Sequence, residues 1–303
     1  MTGQLFIDGV DVYNEFGAFV ADGGYADLIS PANLKDVEYN DWPEIDGIEP
    51  DLHNPVLDTK ELILPFYSVS NKKTEDFLCL LSDKSYHLFE LQDIQQKRTL
   101  RLLHQASKET IATGESFSLK FADDFPLNGY TYQPPIGMIN QTGFYMDNKP
   151  LSDYGVLILD GSYDEIMKVP AVKNNLSQSY KKAAGLIYDN NSVVYQHKNV
   201  ALKCALVVSD IYSFWRNYNA LIYDLIRPDQ RLFHVESAND TFSCFYKSLR
   251  VSKYSITRGQ CWCEFILTLV FTDFRPKQTV SVLGTEDRNM LTTEDIRAII
   301  IDK

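Results

Sequence analysis

The chain has 303 residues, room for two ordinary domains, and its 45% hydrophobic and 23% charged content excludes a disordered chain. Acidic residues number 41 and basic ones 29, a net charge of −12, which excludes nucleic acid as a tightly held ligand, because such binding needs Lys and Arg to displace counterions from phosphates. There is no run of 18 apolar residues, and the five cysteines (Cys79, Cys204, Cys244, Cys261 and Cys263) are odd in number, so neither a membrane-spanning helix nor a small disulfide framework is expected.

The first segment, "LFIDGVDV", alternates Leu5 and Ile7 with Phe6 and Asp8, and Asp8-Gly9 signals a hairpin. No basic stretch followed by an apolar one opens the chain, so the expected product is a cytosolically made, reduced protein. "GAFVADGGY" (17–25) follows as a strand ending in a glycine turn. A long polar arm, 29–58, leads to the strand "TKELILPFYSVS" (59–70). "TEDFLCLLSDK" (74–84) predicts a helix with Phe77, Leu80 and Leu81 inward, and "YHLFEL" (86–91) and "FSLKFADDFP" (117–126) predict strands.

The same series then starts again. "FYMDNKPL" places Asp147-Asn148 where Asp8-Gly9 stood, and "GVLILDGSY" (155–163) matches "GAFVADGGY" at four of nine positions. "HKNVALKCALVVS" (197–209) faces 59–70 at the same spacing of 138 residues, so Leu62 and Leu64 fall on Val200 and Leu202, alternate positions of one strand face. Ser209 is the expected N-cap of a helix carrying Ile211, Phe214, Trp215, Tyr218, Leu221, Ile222 and Leu225, a stripe closed by Arg227-Pro228. "QRLFHV" (230–235) and "LTLVFTDFRP" (267–276) complete the copy, the last placing Phe117, Leu119 and Phe121 on Leu267, Leu269 and Phe271. The reading is a tandem duplication: residues 1–126, a Pro- and Gly-containing extended linker 127–143, residues 144–276, and a tail 277–303 in which "TVSVL" suits a strand and "TTEDIRAIII" suits either a strand or a short helix. The fold class expected is mainly β, two antiparallel sandwiches or split barrels, each with one flanking helix.

The two arms differ in charge. Trp42, Glu44, Asp46, Glu49 and Asp51, with Asp41, make the first acidic, whereas Lys168, Lys173, Lys181 and Lys182 make the second basic. Loops of this length in a compact unit commonly serve binding, and the opposite signs suggest complementary contacts between neighbouring units.

Catalytic signatures are missing from the sequence. The acidic arm lacks the spacing of a calcium loop. Cys261 and Cys263 share one strand face, with Cys244 a conceivable third zinc ligand, but buried thiols behave as small apolar side chains. The histidines His53, His87, His104, His197 and His234 fit no metalloprotease pattern, and Asp123-Asp124 is a carboxylate pair of the sort chance supplies. No cofactor is expected. Trp42, Trp215 and Trp262 are the candidates for sugar platforms in an alternative reading as a tandem carbohydrate-binding module.

The "FIDGVDV" opening, the "DGG" turn, the long arm, the "KELILPF" strand and the helix with returning strands resemble the ring-forming domain of siphophage distal tail proteins. Members of that family carry one such domain and then a galectin-like sandwich; here the second half resembles the first instead. The resemblance implies a non-catalytic virion component of a phage or prophage tail, at the baseplate or hub. It implies self-assembly into a ring, as a trimer with pseudo-sixfold symmetry or a hexamer, with tube, hub and tape-measure proteins as partners. DNA would pass through the lumen without specific binding, and no membrane would be involved.

Overall fold

Asp8 and Gly9 turn the chain at φ 52° and 83°, so β1 (Leu5–Ile7) and β2 (Val10–Asp11) form the tight hairpin that an Asp-Gly pair favours. The computed structural model describes residues 1–69, 71–111, 114–137, 143–174, 177–182, 184–185, 187–188, 193–257, 259–276, 281–282 and 300–301. Asp11 then caps α1 (Val12–Phe16) by accepting from the Tyr13 and Asn14 amides, and Gly17, at φ 63°, ends it.

The first half continues with β3 (Ala18–Val20), α2 (Ala26–Ile29) and an arm hairpin of β4 (Tyr39–Asn40) and β5 (Glu49–Pro50). It closes with β6 (Lys60–Ser68), α3 (Asn71–Ser82), β7 (His87–Leu91), β8 (Gln96–Ile111) and β9 (Gly114–Asp123). The second half has β10 (Phe144–Met146), β11 (Lys149–Pro150), a 3-10 turn over Leu151–Tyr154, β12 (Val156–Ile158), α4 (Ser162–Met167), β13 (Ser177–Gln178) and β14 (Ile187–Tyr188). It closes with β15 (Lys198–Val208), α5 (Ile211–Leu225), β16 (Arg231–Val235), β17 (Asp240–Thr257) and β18 (Gln260–Phe271).

The strands form two seven-stranded antiparallel sheets of one topology. Their orders are β2-β1-β7-β8-β9-β6-β3 and β11-β10-β16-β17-β18-β15-β12. Register agrees as well as order. Ala18 faces Ser68 as Val156 faces Leu206, and His87 faces Leu100 as Arg231 faces Cys244. β8 is bulged between Leu102 and His104, and β17 between Tyr246 and Ser248, the matching place. The arms match too: the isolated bridge Leu34↔Leu57 recurs as Val172↔Tyr195, and Tyr39↔Pro50 recurs as Ser177↔Tyr188.

Burial alternates along the strands as period two requires. Leu62, Leu64 and Phe66, with Val200, Leu202, Cys204 and Leu206, are all at most 2% exposed. Phe77 and Leu81 of α3 cover one sheet, where Phe77 meets Phe66 at 5.3 Å between ring centroids and Phe117 at 6.3 Å. Burying each such ring contributes about 1.5–3 kcal/mol. The apolar stripe of α5 covers the other sheet, and the two cores merge into one cluster. Replacing Phe77 with Ala would open a cavity between these rings and cost about 3–5 kcal/mol.

Several sequence expectations need correction. The cap of α5 is Asp210, which accepts from Ser213 N, while Ser209 Oγ donates to the Asp210 side chain. α3 begins at Asn71, before the expected Thr74. Leu62 faces Phe121 and Val200 faces Leu269, so Phe117, Leu119 and Phe121 correspond to Phe265, Leu267 and Leu269, two residues earlier than the sequence match placed them. A two-residue slip keeps the same side chains inward, so the pattern alone does not detect it. The described part of the linker, 127–137, lies along α5: Asn217, fully buried, accepts from Ile136 N at 2.7 Å and donates to Ile136 O at 3.0 Å. In the tail, β19 (Ser281–Val282) pairs with β20 (Ile300–Ile301), and the rest of the expectation for 277–303 lies outside the described residues.

Candidate functional site

The first arm leaves its own sheet and lies on the second. Its hairpin holds an eight-residue turn, 41–48, whose carbonyls converge on Lys173. The Lys173 ammonium donates to Asp41 Oδ1 at 2.5 Å, Trp42 O at 2.9 Å, Ile45 O at 2.8 Å and Gly47 O at 2.6 Å. Lys173 is 6% exposed, so the four acceptors replace the hydration it gave up.

Beside it, Asp46 accepts from Tyr195 N at 2.8 Å and from Arg275 Nε at 2.7 Å. Gly47 N donates to Tyr195 O and Ile48 N to Thr272 O, both at 2.8 Å. Gly47 has φ 69°, and a Cβ there would lie 1.6 Å from Thr272 O, so only glycine fits. Under the arm, Ile48 and Leu52 pack on Phe245 and Val270 in a small separate core.

A second strip of contacts runs behind α2. Ser30 Oγ accepts from Val251 N at 2.9 Å, Ala32 O from Tyr246 OH at 2.9 Å, and Ile29 O from Tyr218 OH at 2.8 Å. Burial pushes the Tyr218 and Tyr246 hydroxyls up, so both stay protonated donors. Trp215 Nε1 donates to Ile94 O at 2.6 Å, and Leu34 N to Lys247 O at 3.0 Å, the latter at the bulge of β17, where a carbonyl leaves the ladder.

Of the predicted arm residues, the structure brings Asp41, Asp46, Lys173 and the Trp42 carbonyl into this interface. Trp42 is exposed and donates through Nε1 to Glu49 at 3.0 Å. Asp51 accepts from its neighbour His53 N at 3.2 Å, and Glu44 is exposed. Lys168 reaches Glu165 at 3.7 Å, and Lys181 and Lys182 are exposed at the tip of the second arm. The sequence reading missed Gly47, Arg275, Ser30, Tyr218, Tyr246 and Trp215 as interface residues. The 138-residue spacing pairs Gly47 with Gly185 and Lys173 with Lys35, and that was the available signal.

The other candidate chemistries are dispersed. Cys261 and Cys263 are buried facing Val208 and Leu206, whereas Cys244 faces Phe271 at the far end of β18. Burial pushes the Cys263 thiol up to about 12. Among the described residues no three His, Cys, Asp or Glu come together as metal ligands. Asp124 is clamped by Arg101 at 2.8 and 3.1 Å and by Tyr86 OH at 2.9 Å, and the Arg101 bond above all holds its carboxyl below the usual range. Burial pushes the neighbouring Asp123 up. Trp215 is buried and Trp262 half-buried on β18, so the three tryptophans form no common platform. No described helix is long and apolar enough to cross a membrane.

No protein-family model and no curated protein matches this chain. Among solved structures, a crystal structure of the SPP1 Dit protein, described as a paradigm of the hub adsorption apparatus in phages infecting Gram-positive bacteria, is similar over 88% of this chain and 97% of its own. Identity is 8% and the TM-score 0.33.

Proposed function

We propose that this chain is a non-catalytic structural component of a phage or prophage tail, of distal-tail or hub type, that assembles with copies of itself around a channel for DNA. The chain is then two tandem copies of one unit, 1–126 and 144–276, joined by 127–143. The observation that carries this reading is the docking of one unit's arm on the sheet of the other. Contacts between unlike faces of similar units propagate, and they close into rings when the rotation allows.

The sequence resemblance to ring-forming tail domains supplies the biological setting. The excess of acidic residues suits a lumen wall, because a net charge of −12 repels phosphate rather than holding it. The ring would sit in the virion tail with tube, hub and tape-measure proteins as neighbours. Negative-stain imaging tests the reading: annular particles with a central hole are expected, and monomers at every concentration would count against it.

A further inference from the structure

The two arms are built alike, yet among the described residues only the first docks on the other unit. β13 and β14 repeat the register of β4 and β5, and Gly185, at φ 88°, repeats Gly47. Around Gly47 the second unit presses within bonding distance; around Gly185 no atom lies within 4 Å of a built Cβ. Ser179, Lys181, Lys182 and Gly185 at this tip are all exposed.

The receiving site is also duplicated. Lys35 takes the place of Lys173 beside the recurring bridge: Lys35 N donates to Val56 O as Lys173 N does to Val194 O. Lys173 is enclosed by the first arm, whereas the Lys35 side chain is exposed and has no hydrogen-bond or ion-pair partner among the described residues. Tyr195 gives its N–H to Asp46 and its C=O to Gly47 N, but the amide and carbonyl of Leu57, its counterpart, bond to nothing among the described residues.

The faces behind the arms repeat this asymmetry. Tyr25, Ser30 and Ala32 are at most 9% exposed beneath the second unit. At the corresponding places on the second unit, Tyr163 is 42% exposed, Lys168 is exposed and Pro170 is half-buried.

We infer that the second arm of one chain docks on the first unit of another, its turn around Gly185 enclosing Lys35 and bonding the Leu57 backbone. The occupant is a second copy of this chain, because the surface on offer duplicates one that this chain already fills within itself. Lys181 and Lys182 replace the acidic tip of the first arm, and the receiving rim carries Asp36 and Asp58 where the second unit has Asn174 and Gln196. Opposite charge thus favours the exchange between chains. Each such contact presents a fresh pair of faces, so the assembly alternates first and second units. This deepens the ring reading and rests on it.

The test uses the full chain. Sedimentation velocity over a dilution series compares wild type with Lys35→Glu and Gly185→Ala, with thermal melting as a check on folding. Self-association weakened about 30-fold or more in Lys35→Glu is expected, since the interface would lose a buried, hydrogen-bonded charge. In parallel, Lys35→Cys with Ser179→Cys, on a Cys79→Ser background that removes the exposed native thiol, is treated with a short bis-maleimide. A covalent ladder is expected from the double variant and not from either single one. Wild-type association that persists in both point variants with no ladder overturns this interface and leaves the ring reading standing. A wild type that stays monomeric overturns both.

Discussion

Asp8 and Asp147 sit at the same corner of two hairpins and bind different side chains there. Asp8 Oδ2 lies 2.6 Å from His87 Nδ1 and 3.1 Å from Lys84, while Asp147 Oδ2 lies 2.8 Å from Arg231 and 3.0 Å from Arg227. Each also accepts, through Oδ1, the amide of the next residue, Leu88 or Leu232, at 3.0 and 2.9 Å. The carboxylate thus ties the edge hairpin to the strand that follows the helix in both sheets.

The two ties differ in what their loss would strand. Arg231 is 8% exposed at its side chain, and Asp147→Ala would leave that guanidinium without its counter-charge. A loss of about 3 kcal/mol is expected. Asp8→Ala removes one hydrogen-bond partner from the buried His87 ring and leaves no fixed charge stranded, so about 1–2 kcal/mol is expected. Urea titrations of the two variants, showing the larger loss at Asp147, would agree; the reverse order would not.

Acid should act through Asp8. Burial pushes its carboxyl up, but the Leu88 amide, His87 and Lys84 outweigh burial and hold it below the usual range. The folded state therefore binds fewer protons than the unfolded one. Its stabilisation is complete above the unfolded value of about 3.9 and is lost as pH falls through the folded value. Stability measured at several pH values below about 4 should fall more steeply for wild type than for Asp8→Asn. Parallel curves would remove Asp8 from the explanation.

Lys173→Met should free the first arm. The change leaves Asp41 and three carbonyls without their donor, and a loss of about 3–5 kcal/mol is expected. Hydrogen exchange locates it: the amides of Gly47, Ile48 and Tyr195 should exchange faster, while Leu119, in the middle of β9, stays protected. Uniform loss of protection would mean that the arm is not a separate cooperative unit.

How far these ties were legible in the sequence varies with their range. The Asp8-Gly9 turn and the stripe of α5 depend on neighbours in sequence, and the structure has both. β8 escaped notice because residues such as Gln96, Arg98, Gln105 and Glu109 carry no apolar alternation, their strand being set by pairing with β9. The burial of Lys173 could not be read locally. It is created by carbonyls about 130 residues away, and the residues around it, "VKNN", are those of an ordinary polar loop. Charge in the two arms pointed to a contact, of which the structure has the Lys173–Asp41 pair; that the first arm lies on the other unit's sheet within the same chain needed the fold.

Gly47 and Gly185 separate what the single chain needs from what the assembly needs. Gly47→Ala would place a methyl against Thr272 O at a positive φ, and about 3 kcal/mol or more of stability should be lost. Gly185→Ala meets no atom and carries only the φ cost, about 1–2 kcal/mol, at an exposed tip. Thermal melting of dilute protein should therefore distinguish them; equal losses would contradict the tight approach at Gly47.

The most direct measurement is electron microscopy of the purified chain, classified without imposed symmetry. Closed rings with an even number of lobes around a central hole, first and second units alternating, are the predicted result. Particles that remain single pairs of lobes at every concentration, or two-fold dimers joined through like faces, would contradict the account.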